Sequence, residues 1–298
     1  MVIVGAGPAG VSAALWARAH DLEPLVLEAT PGPGGQLLNV HFEPHDLAGG
    51  WPGEGPAIAG HYHDQLAAAS IDVRYGASVE ALALGPEPQL TLVGGERLTA
   101  RALLVATGAR RRRLDVPGER ELEDKGLSYS ARRGLGQLKG RMVAVVGGGD
   151  AACENGLILA AAGCEVTIVA RAGLRARPEF RERVAAERRI RVLEDARVLE
   201  VLGRGRVEGL RLGQASGETR LACEAVVIKV GVVPATEWCR GVLAHDEAGY
   251  LRVDGSFATP AAGVWAAGDV VRPAVLSVAV AIGQGALAAA SIRNAIRG

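Results

Sequence analysis

The 298-residue sequence is poor in cysteine and has no pair of cysteines at the spacing of a redox motif. Its four cysteines are Cys153, Cys164, Cys223 and Cys239. We interpret them as small buried hydrophobic side chains, because they lie in or beside apolar segments. Metal ligands are also sparse: His61 and His63 are two residues apart, so a helix would point them to different faces. The sequence therefore predicts neither a dithiol active site nor a metal site.

A hydrophobic run long enough to cross a membrane is missing as well. Residues 275–292 come nearest, but Ser277, Gln284 and several small residues interrupt them. Met1 leads directly into an apolar segment, without the basic stretch and cleavage site of a secretory signal. We therefore expect a cytoplasmic protein that has no membrane partner.

Charge is balanced over the whole chain but unevenly distributed along it. Residues 1–100 carry three arginines against eleven acidic residues, whereas residues 110–191 carry eighteen basic residues against eleven acidic ones. A basic middle segment could steer an anionic nucleotide or an acidic electron-carrier protein, and solvent-exposed arginines on helices explain it equally well. The distribution gives no further indication of a nucleic-acid partner.

The first motif lies at the start of the chain. An apolar run at residues 2–4 precedes Gly5-x-Gly7-x-x-Gly10, an alanine-rich helical stretch follows, and a second apolar run ends in Glu28. In a dinucleotide fold the first glycine makes a tight turn, the second lets backbone approach a pyrophosphate, and the third lets the helix pack closely on the strand. An acid about 20 residues further on accepts hydrogen bonds from a ribose. The segment predicts such a site.

The same pattern returns in the middle of the chain, which is long enough for about two domains. Residues 142–146 predict a strand, Gly147-x-Gly149-x-x-Ala152 the turn, residues 153–162 a helix and residues 165–169 the second strand. Arg171 and Arg175 follow in place of an acid. Because arginine suits a 2'-phosphate, we expect NADPH rather than NADH, with solvated arginines as the alternative.

Further segments between and after these repeats predict ligand contacts. Residues 32–37 are a turn-rich candidate ligand loop, and residues 41–53 lack periodicity. Strands are predicted at residues 71–75, 90–93, 102–105 and 225–228, and residues 110–129 look like a connection between domains. A strand that ends in Asp269 precedes a helix over residues 278–295. The carboxylate suits a polyhydroxyl chain, and the helix N-terminus favours an anion such as a reduced flavin.

Together these motifs resemble the FAD-dependent pyridine nucleotide-disulfide oxidoreductases, and among them the low-molecular-weight thioredoxin reductases. The resemblance rests on residues 5–10 with Glu28, 34–37, 106–108, 147–152, 231–234 and 266–269. It implies an α/β fold of two Rossmann-like, three-layer ββα domains: an FAD domain of residues 1–112 and 243–298, and an inserted NAD(P)H domain of residues 113–242. It also implies a homodimer.

The resemblance assigns binding residues but no catalytic residue. FAD would contact Gly5, Gly7, Pro8, Ala9, Gly10, Glu28, Gly35, Gln36, Leu37, His45, Val79, Ala106, Thr107, Gly108, Gly268, Asp269 and Ser277. NADPH would contact Gly147, Gly149, Asp150, Ala151, Arg171 and Arg175. Asp269 corresponds to the acid that touches the flavin ribityl chain in the family.

Three departures from the family pattern bear on function. Ser130-Ala131-Arg132-Arg133 occupies the place of the redox-active Cys-x-x-Cys, and neither serine nor arginine can replace a thiolate. Val169-Ala170-Arg171 stands where the family has His-Arg-Arg, so one arginine of the 2'-phosphate site is lost. Leu276-Ser277 replaces the Arg-Gln that opens the last helix against the flavin.

With these departures, the sequence resembles a related branch, the ferredoxin or flavodoxin NADP reductases of thioredoxin reductase type, which also lack the cysteine pair. Residues 45–49 are similar to the segment of that branch whose aromatic ring stacks on the flavin, where His45 or Phe42 would serve. We therefore expect an FAD-dependent NAD(P)H oxidoreductase that reduces a ferredoxin- or flavodoxin-like protein, a quinone or oxygen. The alternatives are an enzyme that acts on dithiols of its substrate and a flavoprotein sensor without NAD(P)H binding.

Overall fold

The computed structural model describes residues 1–40, 43–44, 47–48 and 53–297. The chain divides into two units, the first comprising Met1–Arg110 and Val233–Gly298 and the second Arg111–Val232. The second unit is therefore inserted in the sequence of the first, as the resemblance implies.

The first unit opens with the short apolar strand and the helix that the glycine motif predicts. Its elements before the insertion are β1 (Val2–Val4), α1 (Pro8–Ala19), β2 (Leu25–Glu28), α2 (Gly55–Ala68), β3 (Asp72–Tyr75), β4 (Val79–Ala83), β5 (Gln89–Leu92), β6 (Arg97–Thr99), β7 (Leu103–Val105) and β8 (Ala109–Arg111). Pro8 opens α1, where its missing N–H leaves no intrahelical hydrogen bond unmade.

The second unit contains a similar series of strands and two α-helices. Its elements are β9 (Leu127–Ser128), β10 (Met142–Val146), α3 (Asp150–Ala161), β11 (Glu165–Val169), α4 (Pro178–Ala186), β12 (Ile190–Leu193), β13 (Arg197–Leu202), β14 (Gly209–Gln214), β15 (Gly217–Ala222) and β16 (Ala225–Ile228). β17 (Val232–Pro234) follows where the chain returns to the first unit, which ends with β18 (Val264–Ala266) and α5 (Val278–Arg297).

The first unit has three layers around a parallel sheet in the order β18-β7-β1-β2-β3. Val4 of the central strand pairs with Leu27 on one side and Val105 on the other. One face of the sheet packs on α1, α2 and α5, and the other packs on the antiparallel sheet β4-β5-β6. Because both faces are covered, β1, β7 and β18 are continuous apolar runs, whereas the edge strand β3 contains exposed polar residues.

The second unit repeats this plan. Its parallel sheet has the order β12-β11-β10-β16-β9, its helices α3 and α4 cover one face, and the antiparallel sheet β13-β14-β15 covers the other. The outer strands differ: β9 precedes its unit's glycine motif in the chain, whereas β18 comes after the whole insertion. The predicted α/β class with two three-layer dinucleotide folds is confirmed.

Helices α1 and α5 of the first unit pack unusually closely. A Cβ atom on Gly285 of α5 would collide with the carbonyl oxygen of Ala9 in α1. The Ser12 hydroxyl also donates a hydrogen bond of 2.8 Å to the carbonyl of Ile282. These contacts hold the first half of α5 against the start of α1, where the first glycine motif lies.

Two segments differ from the sequence-based expectation. We expected the second domain boundary after residue 242, but the second unit ends at Val232, because Cys239, which that boundary places in the inserted domain, packs in the core of the first unit. Residues 110–129 are more than a connection. The carboxylate of Glu119 is buried in this segment and accepts hydrogen bonds from the Leu114 N–H and the Tyr129 hydroxyl, as a buried carboxylate requires.

Two findings limit the kinds of site this fold contains. In the described part of the chain, none of the helices combines the length and the apolar character needed to span a membrane. The same residues contain no cluster of three or more histidine, cysteine or acidic side chains that could hold a metal ion.

Candidate functional site

The glycine turn of the first unit is built by close backbone contacts. Gly5 has a φ of +105° and donates a hydrogen bond of 2.8 Å to the carbonyl of Leu27. A Cβ atom on Gly5 would lie 2.5 Å from the carbonyl oxygen of Ala106, and one on Gly10 would collide with the carbonyl oxygen of Gly5. These two glycines are therefore required by the fold, and Gly10 lies behind the ligand surface.

Gly7 has a different role. A Cβ atom there would meet no protein atom within 4 Å, so the residue borders open space. Gly7 precedes the first residue of α1, no side chain caps this helix end, and its first turn carries no acid. The uncapped N–H groups and the positive end of the helix dipole suit a pyrophosphate.

The Glu28 carboxylate organises the same turn. It is only 7% exposed and accepts hydrogen bonds from the Ala6 N–H at 2.7 Å, the Thr30 N–H at 2.8 Å and the Thr30 hydroxyl at 2.7 Å. A carboxylate offers about four acceptor positions, so one remains for a ribose hydroxyl. Glu28 therefore fits a ribose while it also holds the loop that contains Ala6.

The predicted ligand loop lies against this turn. Gly34 donates a hydrogen bond of 2.8 Å to the carbonyl of Ala6, and a Cβ atom on Gly35 would lie 3.3 Å from Cα of Gly7. The Gln36 amide donates a hydrogen bond of 2.7 Å to the carbonyl of Ala109. The loop thus forms a second wall of the cleft.

Asp269 forms the wall near α5. Gly268 donates a hydrogen bond of 2.8 Å to the Gln284 side chain and has a φ of +83°, which fixes the residue before the acid. Burial raises the pKa of Asp269, and none of the described residues donates a hydrogen bond to its carboxylate. The Ser277 hydroxyl accepts a hydrogen bond of 3.2 Å from the Val280 N–H and caps α5. Asp269 is therefore available to accept hydrogen bonds from hydroxyl groups.

These walls enclose a cavity of about 290 Å³ in the first unit. The structure brings most of the predicted FAD residues to it: Gly5, Gly7, Pro8, Ala9, Glu28, Gly35, Gln36, Leu37, Ala106, Thr107, Gly108, Gly268, Asp269 and Ser277. Val79, the first residue of β4, does not line the cavity and packs on the core between the parallel sheet and the β4-β5-β6 sheet. His45 lies outside the described residues.

The cavity also contains residues that we did not predict: Val40, Ala109, Leu276, Val278 and Ala281. Three of them adjoin predicted residues in the sequence. Extending each motif by one residue on either side would have identified these three.

The second unit forms the same kind of turn. Gly147 has a φ of +142° and donates a hydrogen bond of 2.9 Å to the carbonyl of Val169. A Cβ atom on Gly147 would collide with the carbonyl oxygen of Lys229, whereas one on Gly149 would meet no protein atom within 4 Å. Gly149 precedes α3 without a side-chain cap, so this helix end also suits a pyrophosphate.

An acid in the first turn of α3 distinguishes this second site. The Asp150 carboxylate accepts hydrogen bonds of 2.7 Å from the Arg177 N–H and from Nε of the same arginine. The backbone hydrogen bond from Arg177 makes the largest contribution to lowering the pKa of Asp150. Arg177 thus offsets a negative charge beside the phosphate site.

The second cleft has a volume of about 860 Å³ and is rich in cations. The predicted residues Gly147, Gly149, Asp150, Ala151, Arg171 and Arg175 all line it. Its other basic residues, Arg112, Arg113, Arg197 and Lys229, were not predicted. Lys229 directly follows the buried strand β16, and ligands in such folds bind at the carboxyl ends of strands, so this position was an available signal.

Comparison with known proteins identifies the family. Residues 1–285 match the family described as pyridine nucleotide-disulphide oxidoreductase. The chain belongs to this family. FAD and NADPH are the cofactors of its thioredoxin reductase members, and the chain is an FAD-dependent pyridine nucleotide oxidoreductase.

Three relatives illustrate the range of this oxidoreductase family. Thioredoxin reductase of Listeria monocytogenes is 33% identical over 292 residues, which cover 97% of this chain and 91% of the relative. A crystal structure of thioredoxin reductase from Lactococcus lactis has a TM-score of 0.84 at 28% identity and covers 98% of this chain and 97% of its own. A protein of Ferdinandcohnia aciditolerans named NADH dehydrogenase is 29% identical over 97% of this chain, which spans only 56% of that relative.

The segment Ser130-Ala131-Arg132-Arg133 has a defined structure in this family member. The Ala131 N–H donates a hydrogen bond of 2.9 Å to Oδ1 of the buried Asn155, and Arg133 pairs with Asp124 at 2.8 Å. All four cysteines are buried and unpaired. Burial raises the pKa of Cys223 and of Cys239 to about 12, which disfavours the thiolate.

Proposed function

We propose that the chain takes a hydride from NAD(P)H and passes electrons to an acceptor other than a disulfide: a ferredoxin- or flavodoxin-like protein, a quinone or oxygen. The observation that carries this proposal is the sequence Ser130-Ala131-Arg132-Arg133 in place of the redox-active pair. The remaining thiols do not compensate, because all four are buried. Reduction of a disulfide by a protein dithiol needs an accessible thiolate.

The first cleft supports FAD as the resident cofactor. The open side of Gly7 and the start of α1 would hold the pyrophosphate, Glu28 a ribose, and Asp269 the hydroxyl groups of the ribityl chain. FAD, when bound there, supplies a group that accepts a hydride and releases electrons singly or in pairs. Gly35 and Gln36 would enclose it from the opposite wall.

The second cleft supports NADPH as the electron donor. Gly147 and Gly149 would hold its pyrophosphate, and Arg171 and Arg175 its 2'-phosphate. The family resemblance provides two arginines at the strand end, whereas only Arg171 remains there, with Arg175 beside it. The proposal therefore includes measurable but weak NADPH binding.

The relatives support the proposed cofactors more directly than the proposed electron acceptor. Thioredoxin reductases support the shared cofactors, and the relative named NADH dehydrogenase agrees with an acceptor that is not a disulfide. An acidic electron carrier would suit the basic segment of residues 110–191. A homodimer and a cytoplasmic location belong to the same proposal.

The test compares the parent protein with a variant in which all four cysteines are changed to alanine. Both proteins are reduced anaerobically with NADPH or NADH and then offered thioredoxin, a quinone, ferredoxin, flavodoxin and oxygen. We expect electron transfer to one of the non-disulfide acceptors, at rates that agree within about an order of magnitude between parent and variant. Thioredoxin should remain oxidised with both proteins.

Three outcomes would contradict the proposal. Thioredoxin turnover by the parent that disappears in the FAD-loaded cysteine variant would show that a buried cysteine is redox-active. If neither NADPH nor NADH reduces the flavin, the result would favour the sensor alternative. Turnover of a small dithiol or disulfide that survives the cysteine changes would favour the alternative in which the thiols belong to the substrate.

A further inference from the structure

Lys229 occupies a special position in the second cleft. It directly follows β16, and its N–H donates a hydrogen bond of 2.7 Å to the carbonyl of Val146. Its own carbonyl oxygen lies so close to Gly147 that a Cβ atom there would collide with it. The backbone of Lys229 is therefore part of the glycine turn, and its side chain lines the cleft.

The Lys229 ammonium has no counter-ion in contact with it among the residues that the structure describes. Within residues 53–297, no hydrogen bond or ion pair to its Nζ is formed, although the residue is half-buried. Burial, followed by the charge of Arg111, lowers the pKa of Lys229 to about 8, and Glu154 on the exposed side of α3 acts in the opposite direction. A half-buried cation without a partner is unfavourable in the free protein, and an anionic ligand would offset this effect.

The order of strands separates Lys229 from the two arginines that we assign to the 2'-phosphate. Arg171 and Arg175 follow β11, Lys229 follows β16, and β10 with its glycine turn lies between these strands. In a dinucleotide fold the ribose lies at the end of the second strand and the pyrophosphate at the turn. Lys229 is thus on the pyrophosphate side of the cleft, away from the 2'-phosphate.

We propose that the Lys229 ammonium binds the diphosphate of the nicotinamide nucleotide and so raises the affinity for NADPH and NADH alike. This inference rests on the proposed function, which places the nucleotide in this cleft. It assigns separate tasks to the cations: Lys229 recognises what the two nucleotides share, and Arg171 recognises the phosphate that distinguishes them.

The test measures dissociation constants by calorimetry on FAD-loaded protein with NADP⁺, NAD⁺ and ADP-ribose, none of which reduces the flavin. Lys229→Met should weaken all three by about 10- to 100-fold, because each contains the diphosphate. Arg171→Ala should weaken NADP⁺ alone. Lys139→Met, which removes an exposed lysine that does not line this cleft, should change none of them.

Three results would overturn the inference. Unchanged affinities in Lys229→Met would exclude a contact with the ligand. A loss for NADP⁺ and NAD⁺ without a loss for ADP-ribose would place Lys229 at the nicotinamide half instead. Parent protein that binds none of the three ligands would overturn both this inference and the proposed NAD(P)H site, whereas the first two results leave the proposed function intact.

A second measurement does not depend on the folding of the methionine variant. The affinity of the parent for ADP-ribose should fall by about tenfold as the pH rises from 7 to 9, because Lys229 loses its proton with a pKa of about 8. The other charged groups that face it are Arg111, Arg112, Asp150 and Glu154. Lys229→Arg should show a flat profile, and an equally steep profile in that variant would contradict the inference.

Discussion

The two units form the same backbone turn but place different side chains around it. Gly5 bonds to Leu27 at 2.8 Å, and Gly147 bonds to Val169 at 2.9 Å in the equivalent position. Gly7 and Gly149 both border open space at an uncapped helix start. The turn itself is therefore built from backbone in the same way in both units, and the difference between the two sites lies in the side chains around it.

The side chains beyond the turn differ in charge and in burial. After the second strand, the first unit has Glu28, which is 7% exposed and held by three hydrogen bonds. The second unit has Arg171, which is exposed and must be ordered when the ligand binds. Because ordering a long side chain opposes binding, the first site is better suited to a resident cofactor and the second to an exchangeable one.

The largest expected effect comes from the matched substitutions Gly7→Val and Gly149→Val. Neither added side chain meets protein within 4 Å of its Cβ atom, so both variants should fold. Gly7→Val should reduce the FAD content to below about a tenth of the parent value, because its methyl groups occupy the place of the pyrophosphate. The measurement is the ratio of flavin absorbance to protein absorbance after purification.

Gly149→Val provides the control for this comparison. It should retain full FAD content and lose flavin reduction by both NADPH and NADH. Full flavin occupancy in Gly7→Val, or loss of flavin in Gly149→Val, would show that the cofactors are not divided between the two turns as we propose. Circular dichroism checks that both variants are folded.

A smaller effect is expected from Arg171→Ala, which tests the difference beyond the turn. A charge-assisted contact to a phosphate contributes about 1.5 to 3 kcal/mol, so this change should reduce NADPH affinity by roughly 10- to 100-fold. Flavin reduction by NADH should remain nearly unchanged, because NADH lacks the 2'-phosphate. Stopped-flow reduction at a series of nucleotide concentrations measures both.

Arg177→Ala tests a second role of arginine in the second cleft. Arg171 is assigned to the 2'-phosphate, whereas Arg177 pairs with Asp150. Arg177→Ala keeps the backbone hydrogen bond to Asp150 but removes the guanidinium charge beside it, so the negative charge of Asp150 should weaken the binding of both nucleotides. Equal reduction of the parent protein by NADPH and NADH would contradict the assignment of Arg171 to the 2'-phosphate.

Much of the fold follows from local sequence. The strand Met142–Val146 and most of α3, which we predicted as a helix over residues 153–162, could be predicted from the sequence. A continuous apolar run, spaced glycines and a small-residue helix are all contained in about 30 residues there. The sequence does not reveal α4, since four of its nine residues are charged and only Val184 is buried. It does not reveal β15 either, because most of that edge strand is exposed.

The candidate site was predictable to the extent that its residues belong to contiguous motifs. The glycines, Glu28 and Asp269 lie in such motifs. Arg112, Arg197 and Lys229 reach the second cleft from three distant segments, and only the sheet order brings them together. The position of Cys239 in the first unit depends likewise on contacts with residues far along the chain.

The smallest predicted effect is a dependence of FAD affinity on pH, caused by Asp269 in the first site. Burial raises the pKa of Asp269 in the FAD-free protein, and hydroxyl groups that donate to its carboxylate would favour the charged form. Protons therefore compete with FAD, so FAD affinity should fall as the pH falls through this raised pKa. Asp269→Asn should remove this acid dependence and weaken FAD by about fivefold at pH 7, the difference between a charged and a neutral hydrogen bond. Quenching of flavin fluorescence on titration of FAD-free protein measures the affinity.

The stability of the FAD-free protein should respond to Asp269 with the opposite sign. A raised pKa in the folded state means that protonation favours folding, so the contribution of Asp269 becomes less favourable as the pH rises through that pKa. Asp269→Asn should consequently raise the melting temperature of the FAD-free protein at pH 7 while it lowers FAD affinity. Other carboxylates of the cleft, Glu28 included, contribute equally to parent and variant, so the difference between the two curves isolates Asp269. Parallel curves would show that burial does not raise the pKa of Asp269 in the FAD-free protein.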